Sequence, residues 1–240
     1  MAILSIHELG HYLVARFYKM RTTLPYFIPE PLFLGTFGAF IQMRQPVPNR
    51  KALFDIGIAG PLAGLIVTLP LLIWGLAHSS VVNLTKESGL FNFESLNPRF
   101  SLLLTLLSKL ALGSELIPKM AIELHPVAVA GYIGLIVTAL NLMPVGQLDG
   151  GHIVHAMFGQ RTGAAIGQIS RILILLLAWK ERDLLLWAII LLLMPVIDEP
   201  ALNDVSEVDN WRDLWGLLSL LVLVSIVLPP PVTITQLLNI

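Results

Sequence analysis

Two histidines four residues apart, with a glutamate beside the first, are the residues of this chain best suited to chemistry. They are His7, Glu8 and His11, in the stretch His-Glu-Leu-Gly-His. On a helix, positions i and i+4 lie one above the other on the same face. Two neutral imidazoles at that spacing can clamp one Zn²⁺. Glu8 can then reach a metal-bound water and act as general base. A catalytic zinc site takes three protein ligands and keeps a further position for water. The chain has no cysteine, so the third ligand must come from another His, Asp or Glu. Asp149 is the best candidate. It is a carboxylate in a glycine-rich break, Pro144-Val-Gly-Gln-Leu-Asp-Gly-Gly-His152, at the end of an apolar run. A carboxylate buried in lipid is costly unless paired or metal-bound, which makes it a functional candidate.

The elements that must bring these residues together are apolar. Of 240 residues, 55% are hydrophobic and 13% charged, against about 25% charged in soluble domains. Mean hydropathy is +0.78. This is the composition of an all-α polytopic membrane protein. The net charge of −1 offers no basic field for nucleic acid, and no cleavable signal peptide is visible.

Apolar runs divide the chain into about five to six transmembrane helices. Residues 1–18 can span on length. Arg16, Lys19 and Arg21 follow and place that end on the cytoplasmic side. Residues 54–77, 126–143 and 214–228 read as further spans. The runs 163–179 and 184–197, joined by residues 180–183, form a hairpin whose cations run against the charge rule. Three crossings after Met1 bring Asp149 back to the cytoplasmic side. His11 is about 12 Å from Lys19 along a helix rising 1.5 Å per residue, so the two motifs can meet in the cytoplasmic half of the membrane.

Residues 24–44 differ. Three prolines over 25–31 forbid a regular helix. Gly35 and Gly38 among Phe, Thr and Ile favour a small membrane-entering β-hairpin. Cations flank it, with Arg44 at its end. Non-helical backbone at that depth must pack on protein or line a wet cavity. Residues 78–125 are mixed, with a short interfacial helix over 102–112, and leave little room for an inserted peptide-binding domain of about 90 residues.

The stretches HELGH at 7–11, GTFGAF at 35–40, AGPLAG at 59–64 and NLMPVGQLDGGH at 141–152 together resemble the site-2 proteases, the intramembrane zinc metalloproteases. Both hallmark motifs of that family, HExxH and NxxPxxxLDGG, are matched in order. The compact form without a PDZ domain looks most like cyanobacterial and chloroplast members. The resemblance implies one Zn²⁺ per chain held by His7, His11 and Asp149, with Glu8 as base. It implies that Asn141 binds the substrate or the oxyanion. The segment 35–40 would be the strand that holds an unwound substrate by edge pairing. The work implied is regulated intramembrane proteolysis of single-span membrane proteins, such as a membrane-tethered transcription factor or an anti-sigma factor. Usually another protease trims the substrate first. The location implied is a bacterial inner membrane, or a chloroplast membrane in a plastid lineage. Residues 1–240 would form a single membrane-embedded protease domain. The family usually has a span before HExxH, and only six residues precede His7, so either a span upstream of Met1 is missing from the sequence or one wall of the substrate path is absent.

Two other readings account for buried His, Glu and Asp. One is a membrane transporter with a metal or proton site, which does not need Glu8 between two ligands. The other is a non-catalytic membrane chaperone on the same fold, for which intact HELGH and LDGG are unexpected. Among the remaining polar residues, Gln147, His152 and His155 could line a polar cavity. Arg171 is read as snorkelling. The acidic run 198–213 is read as a solvated loop, and Gly57, Gly60 and Gly64 as a packing stripe. Trp179, Trp187, Trp211 and Trp215 suit interface belts.

Overall fold

A computed structural model describes the chain apart from residues 31–34, 42–44, 85–89, 114–119, 181 and 239–240. The turn expected between the strands of the 24–44 hairpin, Arg44, and Glu181 of the 180–183 link therefore lie outside the described residues.

The described chain is mostly helical, with little sheet. Helix α1 covers Ala2–Phe17. Strands β1 (Tyr26–Glu30) and β2 (Gly35–Phe40) pair antiparallel, with an irregularity between Ile28 and Pro29. Helix α2 is Arg50–Ala77. Strand β3 (Ser80–Asn83) pairs antiparallel with β4 (Met120–Glu123), on either side of α3 (Leu102–Leu112). Next come α4 (Pro126–Leu142), α5 (Asp149–Phe158), α6 (Gln160–Lys180), α7 (Leu185–Leu193), α8 (Asn210–Val227) and α9 (Val232–Leu238).

Three described helices, α2, α6 and α8, are long and apolar enough to cross a membrane. At 28 residues and about 1.5 Å each, α2 exceeds the roughly 30 Å of a hydrocarbon core. It runs unbroken through Pro61 and Pro70. Helices α1, with 16 residues, and α4, with 17, fall just short of that length. The run expected at 184–197 forms only the nine-residue α7. Trp187, read as an interface residue, is buried.

The chain divides into two compact units. The first is Met1–Ile66 with Leu140–Leu220, and the second Val67–Ala139 with Leu221–Ile240.

In the second unit, α2 and α4 touch backbone to backbone. A Cβ on Gly75 would lie 2.3 Å from the amide nitrogen of Ala128, and one on Gly131 would lie 2.9 Å from Leu72 Cα. The start of α3 is tied to the end of α8 by a bond from the Leu102 amide to the Leu228 carbonyl, 2.9 Å. Ser101 caps α3 through its hydroxyl.

In the first unit, α1 ends in a way its sequence does not advertise. Lys19 takes the left-handed conformation, φ 57°, usually left to glycine. The Met20 amide bonds the Ala15 carbonyl and the Lys19 amide the Arg16 carbonyl. That is the Schellman pattern. Its usual hydrophobic contact is also present, since Ala15 and Met20 cluster with Ile56 of α2. The end of α1 is thereby fixed against α2. Arg212 of α8 reinforces this corner, donating to both oxygens of Asp55 at 2.7 and 2.8 Å while Tyr18 donates to Oδ2 at 2.6 Å.

Candidate metal centre

Four segments of the first unit converge on one point. Helix α1 presents His7 and His11 from successive turns, with ring centroids 4.8 Å apart and planes at 74°. Helix α5 presents Asp149, its first residue. The last turn of α4 presents Asn141, and α2 forms the floor. His7 Nε2 lies 3.2 Å from Asp149 Oδ2, and His11 Nε2 lies 3.3 Å from Oδ1. The two Nε2 atoms are 3.1 Å apart. Among the described residues, these three make up the group whose donor atoms could share a metal ion, all within 4.8 Å of one another.

The hydrogen bonds behind the donors decide what the group can hold. His11 Nδ1 donates to the Ile56 carbonyl at 2.7 Å. In neutral His11 this leaves Nε2 with a lone pair. Asn141 Nδ2 donates to His7 Nε2 at 3.1 Å, so that atom is also an acceptor. Two imidazole acceptors, that of His7 taking the Asn141 N–H, therefore stand beside a carboxylate, and a bound cation would replace Asn141 at His7 Nε2. Asp149 Oδ2 is buried and makes no hydrogen bond. A divalent cation satisfies all three at once. The spacing suits it too, because donors at about 2.0–2.1 Å from a tetrahedral zinc stand about 3.3–3.4 Å apart. A backbone carbonyl behind a histidine is the usual way such a ligand is oriented. The residues thus fit the ion.

Glycines on α2 make room for the rings. A Cβ on Gly60 would sit 2.1 Å from His11 Nε2, and one on Gly64 3.3 Å from His7 Nδ1. On α1, a Cβ at Gly10 would meet the Ala59 carbonyl at 2.5 Å. The stripe read as packing is therefore also the seat of the histidines. Glu8 is buried beside them, near enough for His11, His7 and Asp149 to act on its charge.

The chain around Asp149 differs from expectation. The glycine-rich break extends from Met143 to Leu148 and then becomes α5, a helix that Gly150 and Gly151 did not suggest. Both glycines are needed for close approach, since Cβ atoms there would fall 1.9 Å from the Leu142 carbonyl and 2.1 Å from the Gly146 carbonyl. Downstream, His155 is buried rather than lining an open cavity. Its Nδ1 lies 2.7 Å from Asp198 Oδ2 and its Nε2 2.9 Å from Asp204 Oδ1. His152 Nδ1 shares Asp198 Oδ2 at 2.9 Å. Asp198, read as part of a solvated loop, is buried. Burial opposes charge on His155, but the two carboxylates outweigh it and hold the imidazole above its ordinary range. Burial likewise opposes ionisation of Asp198, and its bonds to His152 and His155 hold it below the usual carboxylate value. Arg171 is buried and donates to the Met194 carbonyl rather than snorkelling. Gln147 is exposed.

Residues 1–178 match the model of peptidase family M50. The chain is 35% identical, over 95% of its length, to a probable chloroplastic zinc metalloprotease, EGY1, of Arabidopsis thaliana, covering 41% of that protein. It is 36% identical, over 95% of its length, to the protein so named in Oryza sativa subsp. japonica, covering 39% of it. It is 30% identical, over 96% of its length, to a probable chloroplastic zinc metalloprotease, EGY2, of Oryza sativa subsp. indica, covering 41%. The chain thus spans about two-fifths of the length of the curated relatives it matches. No solved structure matches it. The family match takes in both halves of the His7–His11–Asp149 cluster, and on that footing the chain belongs to peptidase family M50, the site-2 proteases.

Proposed function

We propose that the chain is an intramembrane zinc metalloendopeptidase whose 240 residues work as a single membrane-embedded protease domain. His7, His11 and Asp149 hold one zinc, Glu8 is the general base and Asn141 steadies substrate or oxyanion. One observation carries the reading: in a member of an established peptidase family, two imidazole lone pairs and an orphaned carboxylate far apart in the sequence meet within 3.1–3.3 Å. The comparisons give no support to a transporter or a chaperone.

When bound, zinc polarises the scissile carbonyl and makes its water more acidic. The remaining work falls to the protein. Glu8 accepts the proton of the attacking water and returns it to the leaving amine. The Asn141 amide, already aimed at the cluster, donates to the developing oxyanion, a contact worth roughly 3 kcal/mol. The floor of α2 keeps both imidazoles in place. The β1–β2 pair enters the membrane from the cytoplasmic side and offers an edge to an unwound substrate. With α2, α6 and α8, the shorter α1, α4 and α7 make up five to six crossings of a bacterial inner membrane or a chloroplast membrane. The substrates are single-span membrane proteins, among them membrane-tethered regulators.

The test is Glu8→Gln. The variant keeps one zinc per chain and loses cleavage of a single-span substrate by at least about a hundredfold, the lower range for a general base. Cleavage at the wild-type rate would end the assignment.

A further inference from the structure

Residues 194–209, between α7 and α8, form a strap that grips the chain on both sides of Asp149. Upstream, the Pro195 carbonyl presses on Gly146, where a Cβ would lie 1.8 Å from its oxygen and φ is +51°. Downstream, Asp198 Oδ2 bridges His152 and His155 at 2.9 and 2.7 Å, and Asp204 takes the other nitrogen of His155. Gln160 donates to the Asp198 carbonyl at 2.9 Å. The far edge of the strap is fixed in turn, by bonds from the Leu202 amide to the Val47 carbonyl and from the Asn203 amide to the Pro48 carbonyl.

Helix α5 needs such a grip. It has ten residues, no side-chain N-cap bond, and two glycines in its first turn, the residue type least favourable to a helix after proline. Side-chain tips stand about 5 Å from a helix axis, so a turn of 20° about that axis moves a carboxylate by nearly 2 Å. A metal site tolerates about 0.2 Å. Two anchors one turn apart on the same short helix restrain that rotation.

We propose that Asp198 is a positioning residue for the metal centre: by tying His152 and His155 to the strap, it sets the rotation of α5 and so the aim of Asp149. The inference rests on the metal reading given above. It assigns Asp198 no contact with substrate or ion.

The experiment titrates the purified full chain in detergent with zinc and, separately, with cobalt, whose visible spectrum reports ligand geometry. The wild type comes first. If it binds no zinc, the metal reading falls and takes this inference with it. With the wild type loaded, Asp198→Asn binds zinc about tenfold more weakly, the low end for residues that orient metal ligands, and its cobalt spectrum shifts. Asp204→Asn, at a more exposed position, shows a smaller loss of about two- to threefold with a shift of the same sign. Asp209→Asn, in the strap but paired with Arg212 rather than α5, leaves both unchanged. Wild-type affinity and spectrum in Asp198→Asn overturn the inference. If Asp198→Asn does not fold, an unchanged spectrum and affinity in Asp204→Asn overturn it.

Discussion

The first unit holds two histidine–aspartate clusters that share helix α5, and they are built for opposite ends. Around Asp149, each histidine has a donor or acceptor that leaves Nε2 as a lone pair, and the carboxylate faces those lone pairs without a proton to share. Around Asp198, His155 has a carboxylate on each ring nitrogen, which is how an imidazolium is held. The first arrangement asks for a cation. The second favours a proton on His155, between its two carboxylates. Residue types do not separate the two. The partner on the far side of each imidazole does.

Breaking each cluster should show the contrast most strongly. His11→Ala lowers zinc affinity by more than about a hundredfold, beyond the 10–100-fold typical of groups behind the ligands. His155→Ala leaves stoichiometric zinc at saturating metal but lowers the thermal midpoint. Metal analysis and a melt on both variants read this. Equal zinc loss in the two would erase the distinction.

A smaller effect is expected from the floor. Gly60→Ala adds a methyl where His11 Nε2 is only 2.1 Å away, and the ring must move. Overpacking of this kind costs about 1–3 kcal/mol, and the displaced ligand weakens zinc about tenfold. Gly64→Ala, with 3.3 Å to His7 Nδ1, costs less. Competition with a chelator ranks the two, and the reverse order would contradict the seat.

The mildest separation comes from pH. His155 is held above its ordinary value, so its contribution to stability is full below about 6.5 and is lost as pH rises through the folded value. Asp198 is held low, so its contribution is present above about 3.9 and is lost on acidification through its folded value. The strap is therefore best held between those two ordinary values. Zinc binding runs the other way, since its ligands must be deprotonated, and improves as pH rises. Between pH 6 and 9 the metal-free chain should lose a few degrees of thermal midpoint, about 1 kcal/mol for a domain of this size, while zinc affinity increases. A melt and a zinc titration at each pH follow the two together.

What the sequence revealed and what it hid divide along the same line. The i, i+4 spacing of His7 and His11 needs only a helix to become one face, so it was readable. Asp149 was readable because a carboxylate beside glycines in an apolar run has few structural reasons to be there. Helix α5 was hidden, since Gly150 and Gly151 read as helix breakers. Their role is close packing, which overrides propensity. Asp198 was hidden because an acidic loop looks solvated until the fold brings two histidines to it. The seat of Gly60 read as packing because only tertiary structure shows that the packed group is the His11 ring of the cluster.

The most direct test of the central claim is zinc K-edge absorption on the wild-type chain, with Asp149→Asn beside it. One zinc per wild-type chain is expected, with two imidazole nitrogens and carboxylate oxygen at about 2.0–2.2 Å, and a lost or altered oxygen shell in the variant. A wild type that takes up no zinc, with His11 paired to Asp149 as an imidazolium, would contradict it. So would a zinc whose surroundings are the same in both proteins.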